Sequence, residues 1–239
     1  MIAPYYQDEF ATLYHGDVLA VLAELPARSV STIFTDPPYS SGARNSAALR
    51  TRGAMQRAKP GQTWFGSDNL TSHGFAMLVR LFAAEALRVS VVGGHMFSFI
   101  DWRQWPVLAG ATEAAGWTIR ACLVWDKKSF GMGNGFRQQA EFVLHASLGT
   151  ADNFERHDLG TVFRCAREND SEHPTMKPLA LVRELLSAVP DGVVLDPFAG
   201  SGSTLRAAKD LGRKSIGVEI SERYCEIAAN RLRQGVLFG

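Results

Sequence analysis

Asp36-Pro37-Pro38-Tyr39 is the stretch of this 239-residue chain whose residue types most directly suggest chemistry. It follows the run Val30-Ser31-Thr32-Ile33-Phe34-Thr35, which is short, rich in β-branched and aromatic residues, and closed by the proline pair. Such a run reads as a buried strand that delivers a carboxylate to its C-terminal tip, where open α/β sheets bind their ligands. Two successive prolines supply no backbone N–H, and a residue before proline is held extended. Asp36, Pro37 and Pro38 therefore form a stiff bracket with acceptor chemistry facing outward, and Tyr39 adds an aromatic face. A carboxylate, a bare carbonyl and a flat ring suit a planar substrate bearing an amino group. The same four residues also fit a strand ending in a proline turn with an ordinary helix-capping Asp.

A second motif lies near the other end. Val193-Val194-Leu195-Asp196-Pro197-Phe198-Ala199-Gly200-Ser201-Gly202-Ser203-Thr204 reads as a buried strand, a glycine turn and a helix start. Ser203 or Thr204 opens that helix, Leu205, Ala208 and Leu211 form its inward stripe, and Gly212 ends it. The glycines let a ligand approach the backbone. The next strand, Lys214 to Glu219, ends in an acid about twenty residues beyond the loop, the spacing at which a carboxylate holds a nucleoside ribose. No Lys follows the glycines as in a phosphate-binding P-loop, and the dinucleotide pattern G-x-G-x-x-G is incomplete, which argues against a Rossmann oxidoreductase.

Together the two motifs resemble the amino-methyltransferases of DNA, which move a methyl group from S-adenosylmethionine to an exocyclic base nitrogen. Their catalytic tetrapeptide is (D/N/S)-P-P-(Y/F/W), and their cofactor loop F-x-G-x-G is matched by Phe198, Gly200 and Gly202. The catalytic strand precedes the cofactor loop, as in the permuted β-class, and His173-Pro174-Thr175-Met176-Lys177-Pro178 looks like the segment that precedes the cofactor strand there. The resemblance runs from about Leu13 to Arg231. It implies adenine N6 as the methyl acceptor, because Asp36 heads the tetrapeptide. Cytosine N4, where Ser is more usual, is the runner-up, followed by RNA or a protein amide, and a noncatalytic DNA-binding relative is a further alternative. By resemblance Asp36, Pro37, Pro38 and Tyr39 are catalytic, and Asp36 also borders the cofactor. Asp196, Phe198, Gly200 and Gly202 would wrap the cofactor, with Glu219 on the ribose hydroxyls, Asp17 on the adenine amine, and Thr175 and Lys177 on the cofactor carboxylate. Asp17 fits a plain helix cap equally.

The elements that must position these residues follow from periodicity. Ala11 to His15 is a strand, Val18 to Leu25 a helix, and Val30 to Thr35 the catalytic strand. A helix over about 70–89 carries Phe75, Leu78, Val79 and Phe82 on one face, followed by a strand from Val91 to Ile100. A further helix ends at Ala111 to Ala115, and Thr118 to Trp125 and Gln139 to Ser147 are strands, the latter antiparallel. Leu179 to Val189 is an amphipathic helix opened by Pro178. A last helix spans Glu222 to Arg233, and Ile220 is read as core. The expected fold is α/β, a Rossmann-like methyltransferase fold with a mixed, mostly parallel seven-stranded sheet, helices on both faces and a circularly permuted motif order. Residues 1–239 are read as one domain.

Two irregular segments are candidates for DNA contact. Residues 40–63 make a long connection with Arg44, Arg50, Arg52, Arg57 and Lys59 and no acid between Ser41 and Pro60. Such a concentration suits phosphate contact, and equally a solvated loop. Lys127-Lys128-Ser129-Phe130-Gly131-Met132-Gly133-Asn134-Gly135-Phe136-Arg137 is a second basic loop, with Lys127, Lys128 and Arg137 as cations and Phe130 or Phe136 able to meet an extruded base, or equally to pack onto the core. The region 148–172, where the β-class commonly inserts its target-recognition domain, is short, which favours a short target or a homodimer.

The net charge of +1 confines any nucleic-acid footprint to local patches. A 46% hydrophobic content supports a sizeable core. No apolar stretch approaches the roughly 18 residues of a membrane helix, and no signal peptide is evident. Three isolated cysteines fit buried thiols in a reducing cytoplasm, and the histidines lack metal-ligand spacing, so no metal is expected. A bacterial or phage-encoded protein working on the nucleoid is the expected setting.

Overall fold

The computed structural model describes residues 2–38, 71–131, 134–167 and 176–235. Their strands are β1 (Tyr6–Gln7), β2 (Ala11–His15), β3 (Val30–Thr35), β4 (Ser90–Ile100), β5 (Thr118–Asp126), β6 (Ala140–Ser147), β7 (Val162–Arg164), β8 (Val194–Asp196) and β9 (Ser215–Glu219). The helices, numbered in chain order, are α1 (Val18–Glu24), α2 (Ser72–Val89), α3 (Trp105–Ala114), α4 (Leu179–Leu186), α5 (Ser203–Asp210) and α6 (Glu222–Arg233). All strands join one sheet in the order β1-β2-β9-β8-β3-β4-β6-β5-β7.

Strands β2, β9, β8, β3 and β4 are parallel neighbours, while β6 runs antiparallel to both β4 and β5. The seven central strands match the expected sheet. Nine strands are present rather than seven, because two short edge strands are added: β1, antiparallel to β2, and β7, parallel to β5. Edge strands of two and three residues carry too little periodicity to be read from sequence. Strand β7 also gives part of the 148–172 region a place on the sheet, and Asn153 ties it further by donating to the Gly93 carbonyl at 3.3 Å.

Helices cover both faces. On one, α2 buries Phe75, Leu78, Val79, Phe82, Ala83, Ala86 and Val89 against Ile33, Met96 and Val218, with α1 and α3 alongside. The spacing of these positions is the 3.6-residue period of an apolar stripe, and each large side chain so buried stabilises the fold by about 1.5 to 3 kcal/mol. On the other face Leu181, Val182, Leu185 and Leu186 of α4 join Ala207 and Ala208 of α5 over Phe34, Phe97 and Phe99. Helix α6 packs Cys225, Ala228 and Leu232 against Leu13 and Leu205. No described helix is long and apolar enough to cross a membrane.

Three expected core positions lie at the surface. Leu211 is the residue that terminates α5, Ile220 sits in the turn after β9, and the thiol of Cys122 is exposed on β5. The first two fall just where their element stops, so the stripe they were assigned to no longer faces the core. Cys225 alone among the three cysteines is fully buried.

Candidate active site

The chain turns in opposite directions after β8 and β3, which are adjacent. From β8 it passes through α5 to β9 on one side, and from β3 it proceeds to β4 on the other. The crevice beyond the C-terminal ends of these two strands is the topological switch point at which open α/β sheets bind ligands. The last β3–β8 pair is Ile33 with Leu195, so Asp196 and Asp36 both lie at this edge.

Four neighbouring parallel strands each end in an acid. Asp17 follows β2, Glu219 ends β9, Asp196 ends β8 and Asp36 follows β3. Pairing of His15 with Glu219, and the Gly16 N–H donating to the Glu219 carbonyl at 3.0 Å, bring the first two together. This row spans over 200 positions of sequence, and only the sheet order assembles it.

Each acid is held differently. Asp17 Oδ1 accepts from the N–H groups of Leu19 and Ala20 at 3.0 and 3.1 Å, so this carboxylate caps α1. Glu219 accepts from the Gly200 N–H at 2.9 Å and the Ser221 N–H at 2.7 Å, which locks the glycine loop to the end of β9. The Ile220 N–H adds a third backbone donor to the same carboxylate. Burial raises the Glu219 carboxyl above its ordinary range, against the pull of those backbone donors. Asp196 accepts from the Phe198 N–H at 3.0 Å, and burial, with Asp36 and Glu219 adding to it, pushes its carboxyl up to about 7.

The glycine loop is shaped by backbone geometry. Gly200 and Gly202 have φ of 50° and 81°, the left-handed region where a side chain is strained, and a Cβ on Gly202 would stand 2.9 Å from that of Ala228. Phe198 meets Phe82 of α2 edge-on at 5.3 Å, anchoring the loop to the core. Arg231 of α6 donates to Ser203 Oγ at 3.0 Å and Ser201 Oγ at 3.3 Å from the opposite side.

An ion-pair chain borders Asp36. Lys177, just ahead of α4, places its ammonium 2.8 Å from Asp36 Oδ2 and 2.8 Å from Glu141 Oε1, over the ring of Phe99. Glu141 Oε2 is in turn 2.7 Å from Lys127. The side chains of Lys177 and Glu141 are only 12% and 8% exposed. The two ammonium groups hold the Glu141 carboxyl down at about 2 despite its burial, and the two carboxylates raise the Lys177 ammonium above its ordinary range.

The family model for N6/N4 DNA methylases matches residues 30–230, which takes in both motifs and all but one strand end of the acid row. This chain belongs to that family. The methylase is 26% identical to the DNA adenine methyltransferase YhdJ of Escherichia coli (strain K12) over 95% of its own length and 84% of the relative's. Its fold is shared by M1.HpyAVI, solved in complex with SAM, at a TM-score of 0.67, 24% identity and coverage of 93% of this chain and 100% of that one. The PvuII DNA methyltransferase, specific for cytosine N4, aligns at a TM-score of 0.76 with 18% identity, covering 98% of the methylase and 90% of that chain.

Against the sequence expectations, the methylase brings Asp17, Asp36, Lys177, Asp196, Phe198, Gly200, Gly202 and Glu219 to one end of the sheet. Pro37 and Pro38 continue from Asp36 along that edge. Tyr39, Thr175, Arg44, Arg50, Arg52, Arg57 and Lys59 lie outside the described residues. Lys177, expected on the cofactor carboxylate, is paired with Asp36 and Glu141. Lys127, expected in a DNA-contacting loop, is turned inward to Glu141 because its position directly follows β5, whose partner strand carries that acid. Lys128, Arg137 and Phe136 are exposed as expected, and the guanidinium of Arg137 stacks on Phe130 at 3.6 Å. Glu141 was missed. An acid within the apolar run Phe142-Val143-Leu144 and its flank was the available signal, since a buried charge calls for a partner.

The residues fit S-adenosylmethionine, which combines a cationic sulfur and an ammonium with a nucleoside. A row of buried or half-buried acids, two of them raised by burial, Asp196 also by its neighbours' charge, is a field that a cation relieves. The loop leaves open space beside Gly200, where a Cβ would meet nothing within 4 Å, so a ligand could come up against its backbone. Thr35 Oγ1, buried one residue before Asp36, finds no hydrogen-bond partner among the described residues.

Proposed function

We propose that this methylase transfers a methyl group from S-adenosylmethionine to N6 of adenine in duplex DNA, by direct in-line attack of the flipped base's N6 on the sulfonium methyl, with the thioether as leaving group. The observation that carries this reading is Asp36 at the switch point, two prolines behind it, beside the acid row and the glycine loop. S-adenosylmethionine supplies an electrophilic methyl on a cationic sulfur. Asp196, Glu219, Phe198, Gly200 and Gly202 would form its cradle, with Glu219 accepting from the ribose hydroxyls and Asp17 from the adenine amine.

The adenine amine is a poor nucleophile because its lone pair is delocalised into the ring. Asp36 and the carbonyl of Pro37 accept its N–H groups and draw the nitrogen out of conjugation. As positive charge develops on that nitrogen, the preorganised Asp36 carboxylate stabilises it and favours loss of the proton. No covalent enzyme intermediate is needed. N6 is paired and stacked within a duplex, so the base is extruded, and Tyr39 offers a ring for it to stack on, worth about 1 to 3 kcal/mol. The order of motifs, with Asp36 ahead of the glycine loop, supports the permuted β-class within a single domain of 1–239, and a homodimer would supply target contacts that one short recognition region lacks. The chain would work at the nucleoid.

Incubation with unmodified duplex DNA and methyl-labelled cofactor, followed by digestion to nucleosides, is expected to give N6-methyladenine. The name of YhdJ supports that outcome; label in N4-methylcytosine, as for the PvuII enzyme, would overturn it.

Glu219→Ala is expected to weaken cofactor binding by about 1.5 to 3 kcal/mol, the worth of hydrogen bonds to a charged group. Calorimetric titration reads it, and an unchanged affinity would remove Glu219 from the cradle.

The basic segment between Ser41 and Pro60 would contact phosphates, each contributing a slope of about −0.9 in log affinity against log salt. Joint replacement of Arg44, Arg50, Arg52 and Arg57 by Gln should therefore flatten the salt dependence and weaken target and nontarget duplexes alike, with cofactor affinity retained. An unchanged slope would shift phosphate contact to Lys128 and Arg137.

A further inference from the structure

We propose that Glu141 is a positioning residue for the methyl-transfer step: fixed from behind by Lys127, it clamps the ammonium of Lys177 against Asp36, so that the catalytic carboxylate meets the target amine already aligned by a cation. The inference rests on the reading of Asp36 as the acceptor of the base amine.

Glu141 stands at the start of β6, opposite Trp125 on β5 and next to the Phe142–Ile100 pair with β4. Because β6 is antiparallel to β4, its first residues lie at the edge where β3 and β4 end. A carboxylate on this strand therefore reaches the catalytic edge without leaving the sheet. Its two oxygens are divided between two cations, Oε1 to Lys177 and Oε2 to Lys127, at 2.8 and 2.7 Å. The rings of Phe99 and Trp125 lie under these two ammonium groups, at 4.9 and 4.7 Å, and restrict where each can move.

The alternation of charge is what makes the arrangement directional. Lys177 placed between two carboxylates is drawn to both, and its position along the Asp36–Glu141 line depends on the charge at Glu141. That charge is in turn shared with Lys127. Without Glu141 the Lys177 ammonium keeps Asp36 as its ion-pair partner among the described residues, and it would move onto that carboxylate and compete with the amine for its oxygens. With Glu141 in place, the lysine stays on one side of Asp36 and leaves approach from the substrate side open. The charges that act on Lys177 are those of Asp36 and Glu141, so Lys177 is also the cation that offsets the charge of Asp36 at the strand end.

A displacement of about 1 Å at a reacting group can cost on the order of 100-fold in rate. Glu141→Gln, which keeps shape and removes charge, is accordingly expected to lower the single-turnover rate of DNA methylation about 30- to 100-fold, while the KM for S-adenosylmethionine changes less than about threefold. Glu141→Asp should recover part of the rate. In the protein without cofactor or DNA, the lysine ammonium protons observed by 15N NMR should include a slowly exchanging Lys177 signal, assigned by its loss in Lys177→Arg and abolished or strongly broadened in Glu141→Gln. A Glu141→Gln protein with native rate and a native Lys177 signal would overturn the proposal. So would a raised cofactor KM at native rate, which would make Lys177 a cofactor ligand. Should Glu141→Gln fail to fold, Lys127→Met tests the outer link by the same two readings. Asp36→Asn separates this inference from the one beneath it: if that variant still methylates DNA, the role of Asp36 fails whatever the Lys177 signal shows.

Discussion

Asp36→Ala is expected to lower single-turnover methyl transfer by about 10³-fold or more, with affinity for S-adenosylmethionine nearly unchanged. A preorganised group aimed at developing charge contributes on the order of 10² to 10³ in rate, and here the same carboxylate also favours proton loss from the amine. The proposed cofactor cradle rests mainly on β8, β9 and the glycine loop, so it should survive the substitution. Because Asp36 is one of two counterions of a Lys177 side chain only 12% exposed, some thermal stability should be lost as well, and Asp36→Asn serves as the isosteric control. Rapid-quench methylation and calorimetric titration of the same preparations read the two effects. If Asp36→Ala and Glu219→Ala weaken cofactor binding alike, the division of this site into amine-facing and cofactor-facing acids is overturned.

The second large effect concerns stability. Arg213 is 5% exposed and sits at the opposite edge of the sheet, before β9. Its guanidinium donates to the carbonyls of Leu186 at 2.8 Å and Pro190 at 2.9 Å, and to Thr32 Oγ1 at 3.2 Å. It thereby joins the end of α4, the turn into β8 and the start of β3. Its nearest acid, Asp191, is 3.9 Å away and almost wholly exposed, so the carbonyls rather than an ion pair hold the charge. Arg213→Met fills similar space but leaves those acceptors without a donor, each costing about 1 to 3 kcal/mol, partly offset by relief from burying a charge. A net loss of about 3 to 4 kcal/mol is expected, or roughly 6 to 16 °C in Tm for a chain of this size. Methylation per folded molecule at low temperature should persist, because the residue is remote from the acid row. A Tm within about 2 °C of native would show that the carbonyls find other donors.

Local pattern made much of this protein legible. Strands Ala11–His15 and Val30–Thr35 and helix Glu222–Arg233 have the bounds that periodicity and their flanking residues indicate, and Pro178 and Gly212 stop or start helices near where they are expected. Asp36 and the glycine loop were recognisable for the same reason: each is a run of adjacent residues whose types constrain the backbone around them. The ends of β1 and β7 were not, since two or three residues hold too few repeats to show a period.

The relations among the acids were decided by the sheet. The sequence by itself determined that Asp17, Asp36, Asp196 and Glu219 each follow or close a strand. Which strands lie side by side, and so which carboxylates share a field, came from the order β2-β9-β8-β3. Lys177 and Asp36 are likewise 141 positions apart, and Lys127 and Glu141 are joined only because β5 and β6 pair antiparallel. Periodicity reports which side of an element faces apolar surroundings, because that preference is paid residue by residue along the chain. It carries no information on which distant element supplies a counterion, and a buried Lys or Glu acquires its partner only when tertiary packing removes both from water and leaves each other as the available charge.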